Sequence, residues 1–138
     1  MTTRFTSPEL VSLYASHRPD YPAALFAWLR ERLPPRAVAV DLGAGTGIFS
    51  RQLLGMLAAG GGGGIPIEPS DEMRARMAHD GWGTPWGAVK GTAEATGLPD
   101  GVADVVVAAQ AAHWFQLQRA LFEVRRVAKP GALCAFLW

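Results

Sequence analysis

The sequence has little cysteine, little net charge and no long apolar run, and each shortage excludes a class of protein. Cys134 is the single cysteine among 138 residues, so the chain can form no internal disulfide, and no Cys or His partner stands at zinc-ligand spacing. The 13 Lys and Arg nearly balance the 12 Asp and Glu, which predicts no broad attraction to nucleic acid or to anionic lipid. Since no segment reads as a secretory signal or a membrane span, we expect a cytoplasmic protein without a metal centre.

The overall composition is that of a folded globular protein. Apolar residues make up 49% of the chain and charged residues 18%. A chain of this length has room for one domain with a sizeable core. We therefore expect a single domain over residues 1–138, in which a helical segment at 1–35 precedes a core at 36–138.

Apolar periodicity along the chain predicts alternating helices and strands. Helices are expected from Ser7, from about Tyr21 to the Pro34-Pro35 pair, and after the first, second and fourth strands. Strands are expected at residues 37–42, 65–68, 86–90, 103–108 and 132–138. The alternation predicts an α/β fold, a Rossmann-like open and mostly parallel sheet of about five strands with helices on both faces.

The second predicted strand contains residues that disfavour a strand. The five glycines at 60–64 lose much backbone entropy on ordering, so a loose loop is expected there. Pro66 cannot donate a backbone hydrogen bond to a neighbouring strand. We therefore expect a short or broken strand, and a loosely held Glu68 at its end.

Three features at the carboxyl ends of the first two strands predict a ligand site. Glycines at 43, 45 and 47 permit a tight turn whose N–H groups can face bound oxygens, although a turn that needs only positive φ angles has the same pattern. Glu68 is spaced to accept both hydroxyls of an adenosine ribose, or else is a solvated carboxylate. Asp41, in an apolar strand, needs a partner, either a ligand amino group or the N–H groups of the turn.

At this point the motifs resemble a known family. VAVDLGAGTGIFS at 38–50 resembles motif I of the class I S-adenosylmethionine-dependent methyltransferases, and IEPSDEM at 67–73 resembles the acidic segment that follows it. The segments 91–115 and 126–131 are similar to later motifs of the small-molecule branch typified by ubiquinone-biosynthesis and trans-aconitate methyltransferases. The leader YASHRPDYP at 14–22 resembles the helical lid of that branch. The ordered resemblance implies the strand order 3-2-1-4-5.

The resemblance also implies a set of contacts to S-adenosylmethionine, with S-adenosylhomocysteine as the product. They would be Asp41, Gly43, Ala44 and Gly45 around the methionine portion, Glu68 on the ribose, Pro69, Ala93 and Glu94 around the adenine, Gln110 near the reactive centre, and Tyr14 and Arg18 from the lid. His113 is the candidate general base for an acceptor that must lose a proton. A packed histidine at a helix start has the same sequence pattern.

The resemblance implies methyl transfer to a small-molecule acceptor, and two other functions compete with it. A nucleotide-linked oxidoreductase would need Gly or Ala where Ile48 stands, six positions into the glycine pattern. A non-catalytic module that binds the donor, or that forms dimers, is the other. Relatives continue past the fifth strand, so this chain is expected to lack their C-terminal strands and to expose an apolar edge at which a homodimer would form.

Overall fold

A computed structural model describes residues 7–9, 11, 20–80 and 87–138. In chain order the described elements are α1 (Ala23–Arg30), β1 (Val38–Leu42), α2 (Ile48–Ala59), β2 (Gly63–Ile67), α3 (Asp71–His79), β3 (Ala103–Ala109), a 3-10 helix (Ala112–Trp114), α4 (Leu117–Val127) and β4 (Ala128–Leu137). Most of the helix predicted from Ser7, including Tyr14 and Arg18, lies outside the described residues. The division into a lid at 1–35 and a core at 36–138 therefore stays a prediction. No helix in the part described is long and apolar enough to cross a bilayer.

The strands form a parallel sheet in the order β2-β1-β3-β4. This confirms the predicted α/β class and the order of four of the five predicted strands. The remaining one, expected at 86–90, is not a strand among the described residues: Val89 makes a single parallel bridge to Ile67. Gly87 and Gly91 flank this valine, and glycine has no side chain to pack on a sheet.

Alternate side chains of β1 and β3 form a hydrophobic core on each face of the sheet. Ala39, Val105 and Val107 pack with the helices α1 and α2 on one face. The other face packs against α4 and carries Val40, Leu42, Val106 and Ala108 with Ala120, Val124 and Val127. Each large apolar side chain that is fully buried contributes about 1.5–3 kcal/mol, so this sandwich is a firm base for the turns at its edge.

The expectation that Pro66 breaks the second strand is wrong. All five residues of β2 pair with β1, and Pro66 lies opposite Asp41. The carbonyl of Pro66 accepts a hydrogen bond from the Val89 N–H at 2.8 Å, on the side of the strand away from β1. Because the N–H and C=O of a residue in a parallel strand face the same neighbour, the missing donor of Pro66 lies on that side too. The ladder to β1 is intact, and Glu68 follows a continuous strand.

The expectation of a loose loop at the glycine run is also wrong. Gly63 and Gly64 belong to β2 and are buried, and the N–H of Gly62 donates to the Leu57 carbonyl at 2.9 Å. A Cβ at Gly64 would lie 2.4 Å from Leu54 Cδ2, and one at Gly62 would lie 2.3 Å from the Ala37 carbonyl oxygen. These contacts require glycine because the neighbouring chain leaves no room for a side chain, not because the backbone needs conformational freedom.

The last strand begins four residues earlier than predicted. β4 follows α4 directly at Ala128, and its register against β3 shifts between Ala103 and Val105. Lys129, Pro130 and Gly131, expected to separate helix from strand, occupy this irregular stretch. A bulge accommodates extra residues within a strand, so Pro130 and Gly131, which usually indicate a turn, lie inside the strand.

Candidate functional site

The turn between β1 and α2 is built from glycines with left-handed backbone angles. Gly43, Gly45 and Gly47 have φ of 68°, 62° and 86°. A Cβ would lie 2.8 Å from the Ala111 side chain at Gly43 and 3.0 Å from Met77 at Gly47, but at Gly45 it would meet nothing within 4 Å. The outer glycines therefore permit packing, while Gly45 faces open space. The neighbouring Ala44 N–H donates to the Ile67 carbonyl at 2.9 Å, which fixes the turn against β2.

Asp41 is buried at the start of this turn with one carboxylate oxygen unsatisfied. The residue is 4% exposed, and the Ser50 hydroxyl donates to Oδ2. Oδ1 has no hydrogen-bond partner among the described residues, and neither has the buried Thr46 hydroxyl. Burial raises the pKa of Asp41 from 3.8 to about 7, against the hydrogen bond from Ser50, and the negative charge of Glu68 adds to the rise. An acceptor left unpaired in this way is costly unless a donor reaches it.

Glu68 is fixed at the tip of β2, against the same turn. Its Oε1 accepts from the Gly45 N–H at 2.9 Å and its Oε2 from the Ser70 N–H at 2.7 Å. Burial raises the pKa of Glu68, while these two N–H groups and the Arg74 guanidinium oppose the rise. Because a carboxylate can accept about four hydrogen bonds, acceptor sites remain on both oxygens. The expectation of a loosely held Glu68 is therefore wrong.

A small cavity lies beside Asp41. Its walls come from the turn, the start of α2, the end of β3 and the chain before α1: Tyr21, Asp41, Gly43, Ala44, Thr46, Ile48, Phe49 and Ala109. Tyr21 is held there by its backbone, which exchanges hydrogen bonds with the Gln52 side chain at 2.9 and 2.8 Å. The predicted residues Asp41, Gly43 and Ala44 thus share one cavity.

Gln110 and His113 follow the end of β3. Gln110 is exposed and has a φ of 53°, a left-handed angle that is uncommon outside glycine, and its N–H donates to the Leu137 carbonyl at 2.8 Å. His113 is exposed on the 3-10 helix, with its ring 4.7 Å from that of Trp114. The following ring, Phe115, lies 3.6 Å from where a Cβ of Gly43 would be, so this segment abuts the turn.

The predicted adenine segment is tied to the start of α4. Ala93 is buried, and Glu94 accepts from the Gln116 N–H at 2.7 Å through Oε1, while its Oε2 is buried without a partner among the described residues. Pro69 is half-buried between Glu68 and the Ser70 cap of α3. Tyr14 and Arg18, the lid residues, fall outside the described residues.

Comparison with known proteins assigns this arrangement to a family. The sequence family described as "Methyltransferase domain" matches residues 40–136, which hold every described candidate residue. The chain belongs to the class I S-adenosylmethionine-dependent methyltransferases. Its parallel sheet, glycine turn and strand-end acid are those that the resemblance in the motifs implied.

Individual relatives and solved structures agree with this methyltransferase assignment. An uncharacterized methyltransferase of Mycobacterium tuberculosis is 38% identical over 133 residues, which are 93% of this chain and 49% of that protein. A structure from Anaeromyxobacter dehalogenans, assigned as a type II methyltransferase, has a TM-score of 0.71 and 40% identity, over 86% of this chain and 48% of that one. The S-adenosylmethionine-dependent methyltransferase of Aquifex aeolicus has the same fold, with a TM-score of 0.71 at 24% identity over 94% of this chain and 71% of that one. This methyltransferase chain spans about half the length of the curated relatives that it matches.

Sequence reasoning missed the residues that bond the two acids of the methyltransferase site or line its cavity. Ser50 bonds the Asp41 carboxylate, Ser70 bonds Glu68, and Tyr21 and Thr46 line the cavity. A signal for Ser50 was present, since a buried carboxylate needs a donor and Ser50 is one of the two nearest hydroxyls along the chain. Tyr21 carries no such signal, because its place depends on how α1 packs on α2.

Proposed function

We propose that this chain binds S-adenosylmethionine at the glycine turn and takes part in methyl transfer to a small-molecule acceptor. Membership of the methyltransferase family supports the reaction class. The observation that carries the proposal is the pairing of two buried acids at one turn: Asp41 has an unsatisfied oxygen, and Glu68 is held by the N–H of Gly45. The residues present therefore fit an amino-acid group beside Asp41 and a ribose beside Glu68.

The protein's part in this function is to bind and align. The Asp41 carboxylate would accept a hydrogen bond from the donor's amino group, which removes the cost of its unpaired Oδ1. Glu68 would accept the ribose hydroxyls, with its orientation already set by Gly45 and Ser70. The bound donor supplies a methyl group on a positively charged sulfonium. Since that group is already activated, alignment is the main contribution required of the chain.

The segment after β3 would contact the reacting groups. The left-handed backbone at Gln110 turns the chain sharply at the end of the strand, and strained residues of this kind concentrate at functional sites. His113 is exposed beside Trp114 and is available as a general base for an acceptor that must lose a proton. We propose Gln110 as a contact near the reactive centre of the donor and His113 as a contact of the acceptor.

Calorimetry on one preparation tests the proposal. S-adenosylmethionine and S-adenosylhomocysteine should bind, and NAD should not. A panel of small hydroxyl, amine and carboxylate acceptors then tests turnover, by release of S-adenosylhomocysteine. Binding without turnover on any acceptor would support a module that only binds the donor. Binding of NAD in preference to both adenosyl compounds would overturn the proposal.

Glu68→Gln tests the ribose contact. The amide keeps the size of the side chain but replaces one acceptor by a donor, and it removes the negative charge. We expect the affinity for S-adenosylhomocysteine to fall by about 10- to 100-fold, the effect of losing a hydrogen bond to a charged group. Glu31→Gln, an exposed carboxylate just beyond α1, is the matched control and should bind as the parent does. Unchanged affinity in Glu68→Gln would refute the ribose assignment.

A further inference from the structure

The buried carboxylate of Glu123 on α4 collects hydrogen bonds from a loop that is distant in sequence. Its Oε2 accepts from the Thr96 N–H at 2.6 Å and from the Thr96 hydroxyl at 2.7 Å. Arg126 donates to Oε1 at 2.7 Å and to Oε2 at 3.0 Å. Glu123 is 8% exposed, so these bonds are shielded from water. Apolar residues dominate the buried face of this helix, and a buried acid there is costly unless it is paired and hydrogen-bonded.

The loop that Glu123 holds is the one that carries the candidate adenine residues. Residues 92–95 form a tight turn in which the N–H groups of Thr92 and Ala95 donate to each other's carbonyls, at 3.1 and 3.2 Å. Thr96 follows immediately, and its hydroxyl also accepts from the Leu98 N–H at 3.2 Å. Buried Ala93 and half-buried Glu94 therefore lie within three residues of the point where Glu123 is bonded.

A second set of bonds ties the far end of the same loop to α4. Arg126 donates to Asp100 at 2.6 Å, and the Arg126 carbonyl accepts from the Gly101 N–H at 2.9 Å. Glu94 in turn accepts from the Gln116 N–H at the start of the helix. The loop is thus bonded to α4 at Glu94, Thr96 and Asp100, and Glu123 is the buried member of the set.

We propose that Glu123 is a positioning residue of the donor site, which fixes the loop at 92–96 so that Ala93 and Glu94 meet the adenine of the donor. The proposal rests on the proposed function, because it assumes that adenine binds there. Glu123 does not contact the donor and acts through Thr96. It remains ionised at any physiological pH, since the hydrogen bonds from Arg126 hold the pKa of its carboxyl at about 2.

Glu123→Gln tests this with little change of volume. Whichever way the amide is turned, its NH₂ faces the donors of either Thr96 or Arg126, so one set of bonds is lost. Affinity for S-adenosylhomocysteine should fall about tenfold, the effect of one charge-assisted hydrogen bond. Affinity for S-inosylhomocysteine, which carries an oxygen in place of the adenine amino group, should fall much less, so that the preference between the two ligands shrinks. Equal losses for both ligands would indicate a merely structural role and overturn the proposal.

Thr96→Val and Thr96→Ser provide a second test that does not depend on how Glu123→Gln folds. Valine removes the hydroxyl that bonds Glu123 and keeps the shape, whereas serine keeps the hydroxyl. The valine variant should show the reduced ligand preference, and the serine variant should retain it. A valine variant with the full preference of the parent would contradict the inference.

Amide hydrogen exchange supplies a readout without any ligand. In Glu123→Gln the amides of residues 92–96 should exchange faster than in the parent, while those of β3 stay protected. Glu31→Gln is again the control. If the unmodified chain binds neither adenosyl compound, the proposed function fails and this inference with it. If the parent binds both and the loop amides of Glu123→Gln exchange as before, the inference alone fails.

Discussion

At the scale of the residue, the Asp41 carboxyl is buried in the turn with one oxygen that accepts no hydrogen bond from the described residues. One oxygen is bonded by Ser50, the other has no partner among the described residues, and the negative Glu68 lies near enough to raise its pKa. An ionised group in this setting destabilises the chain until a cation or donor reaches it. The same feature that prepares the turn for a ligand therefore lowers the stability of the unliganded chain.

This predicts a stability that falls as pH rises. The pKa of Asp41 is about 7 in the folded chain and 3.8 when exposed, so the folded state binds the extra proton between these values. The free energy of unfolding should drop across this window by up to about 4 kcal/mol. Glu68, whose pKa is also raised, acts in the same direction. The pKa of Glu123 is lowered from 4.5 to about 2, so Glu123 makes stability rise with pH between those two values, which lie mostly below the window. Urea denaturation at pH 5 and pH 8, without ligand, should show about 3 kcal/mol of this drop, the part that lies above pH 5.

Asp41→Asn should remove most of that pH dependence, because an amide does not titrate. Asp20→Asn, at an exposed position, should keep it. A slope that is unchanged in Asp41→Asn would show that another group titrates in this window.

The sequence predicted that Asp41 is buried and needs a partner, since it lies in an apolar strand. It did not predict the Ser50 bond, because whether the hydroxyl or the turn satisfies the acid depends on how α2 leaves the turn.

At the scale of the element, the segment that leads into β2 shows why composition misled the prediction. Glycine is entropically costly to order, but here the neighbouring chain approaches too closely for any side chain. The strands β1 and β3 were predictable because apolar residues dominate them, with Asp41 and Asp104 as their only charged residues. The contacts of Gly62 and Gly64 with Ala37, Ala39 and Leu54 come from tertiary packing and leave no local pattern.

Two alanine substitutions separate close packing from chain entropy. Gly64→Ala places a Cβ 2.4 Å from Leu54 and 2.8 Å from the Ala39 carbonyl, so we expect a loss of about 1–3 kcal/mol in stability from overpacking. Gly55→Ala, in the exposed interior of α2 with nothing within 4 Å, should gain about 0.5–1 kcal/mol. Thermal unfolding of both variants gives the comparison. If Gly64→Ala were as stable as Gly55→Ala, the segment would be loose after all.

At the scale of the whole molecule, β4 lies at one edge of the sheet that the described residues form. It pairs with β3 on one side and with no other strand among the described residues. Trp138, which directly follows β4, is 79% exposed, and Leu121 and Phe122 of α4 are 47% and 68% exposed. An unpaired edge beside exposed apolar side chains favours association. We propose that two copies of this chain pair through β4.

Light scattering across a concentration series measures this association. The mass should rise from monomer to dimer as concentration increases. Cys134→Lys, at an exposed position of β4, should shift the chain toward monomer, because a charged side chain on an edge strand opposes pairing. Ala58→Lys adds the same charge at an exposed position of α2, away from β4, and serves as the control. A monomer at every concentration would refute the proposal.

The connection between α2 and β2, which contains the glycines at 60–62, is held by hydrogen bonds that fix its number of residues. The Gly62 N–H is bonded to Leu57 and the Gly63 N–H to Ala37, so the helix end and the strand start are both anchored. Because side chains alternate along a strand, one inserted residue after Gly62 would turn Ile67 out of its cluster and carry Glu68 to the opposite face of the sheet. Insertions and deletions at this junction should therefore be selected against, even where single replacements are tolerated.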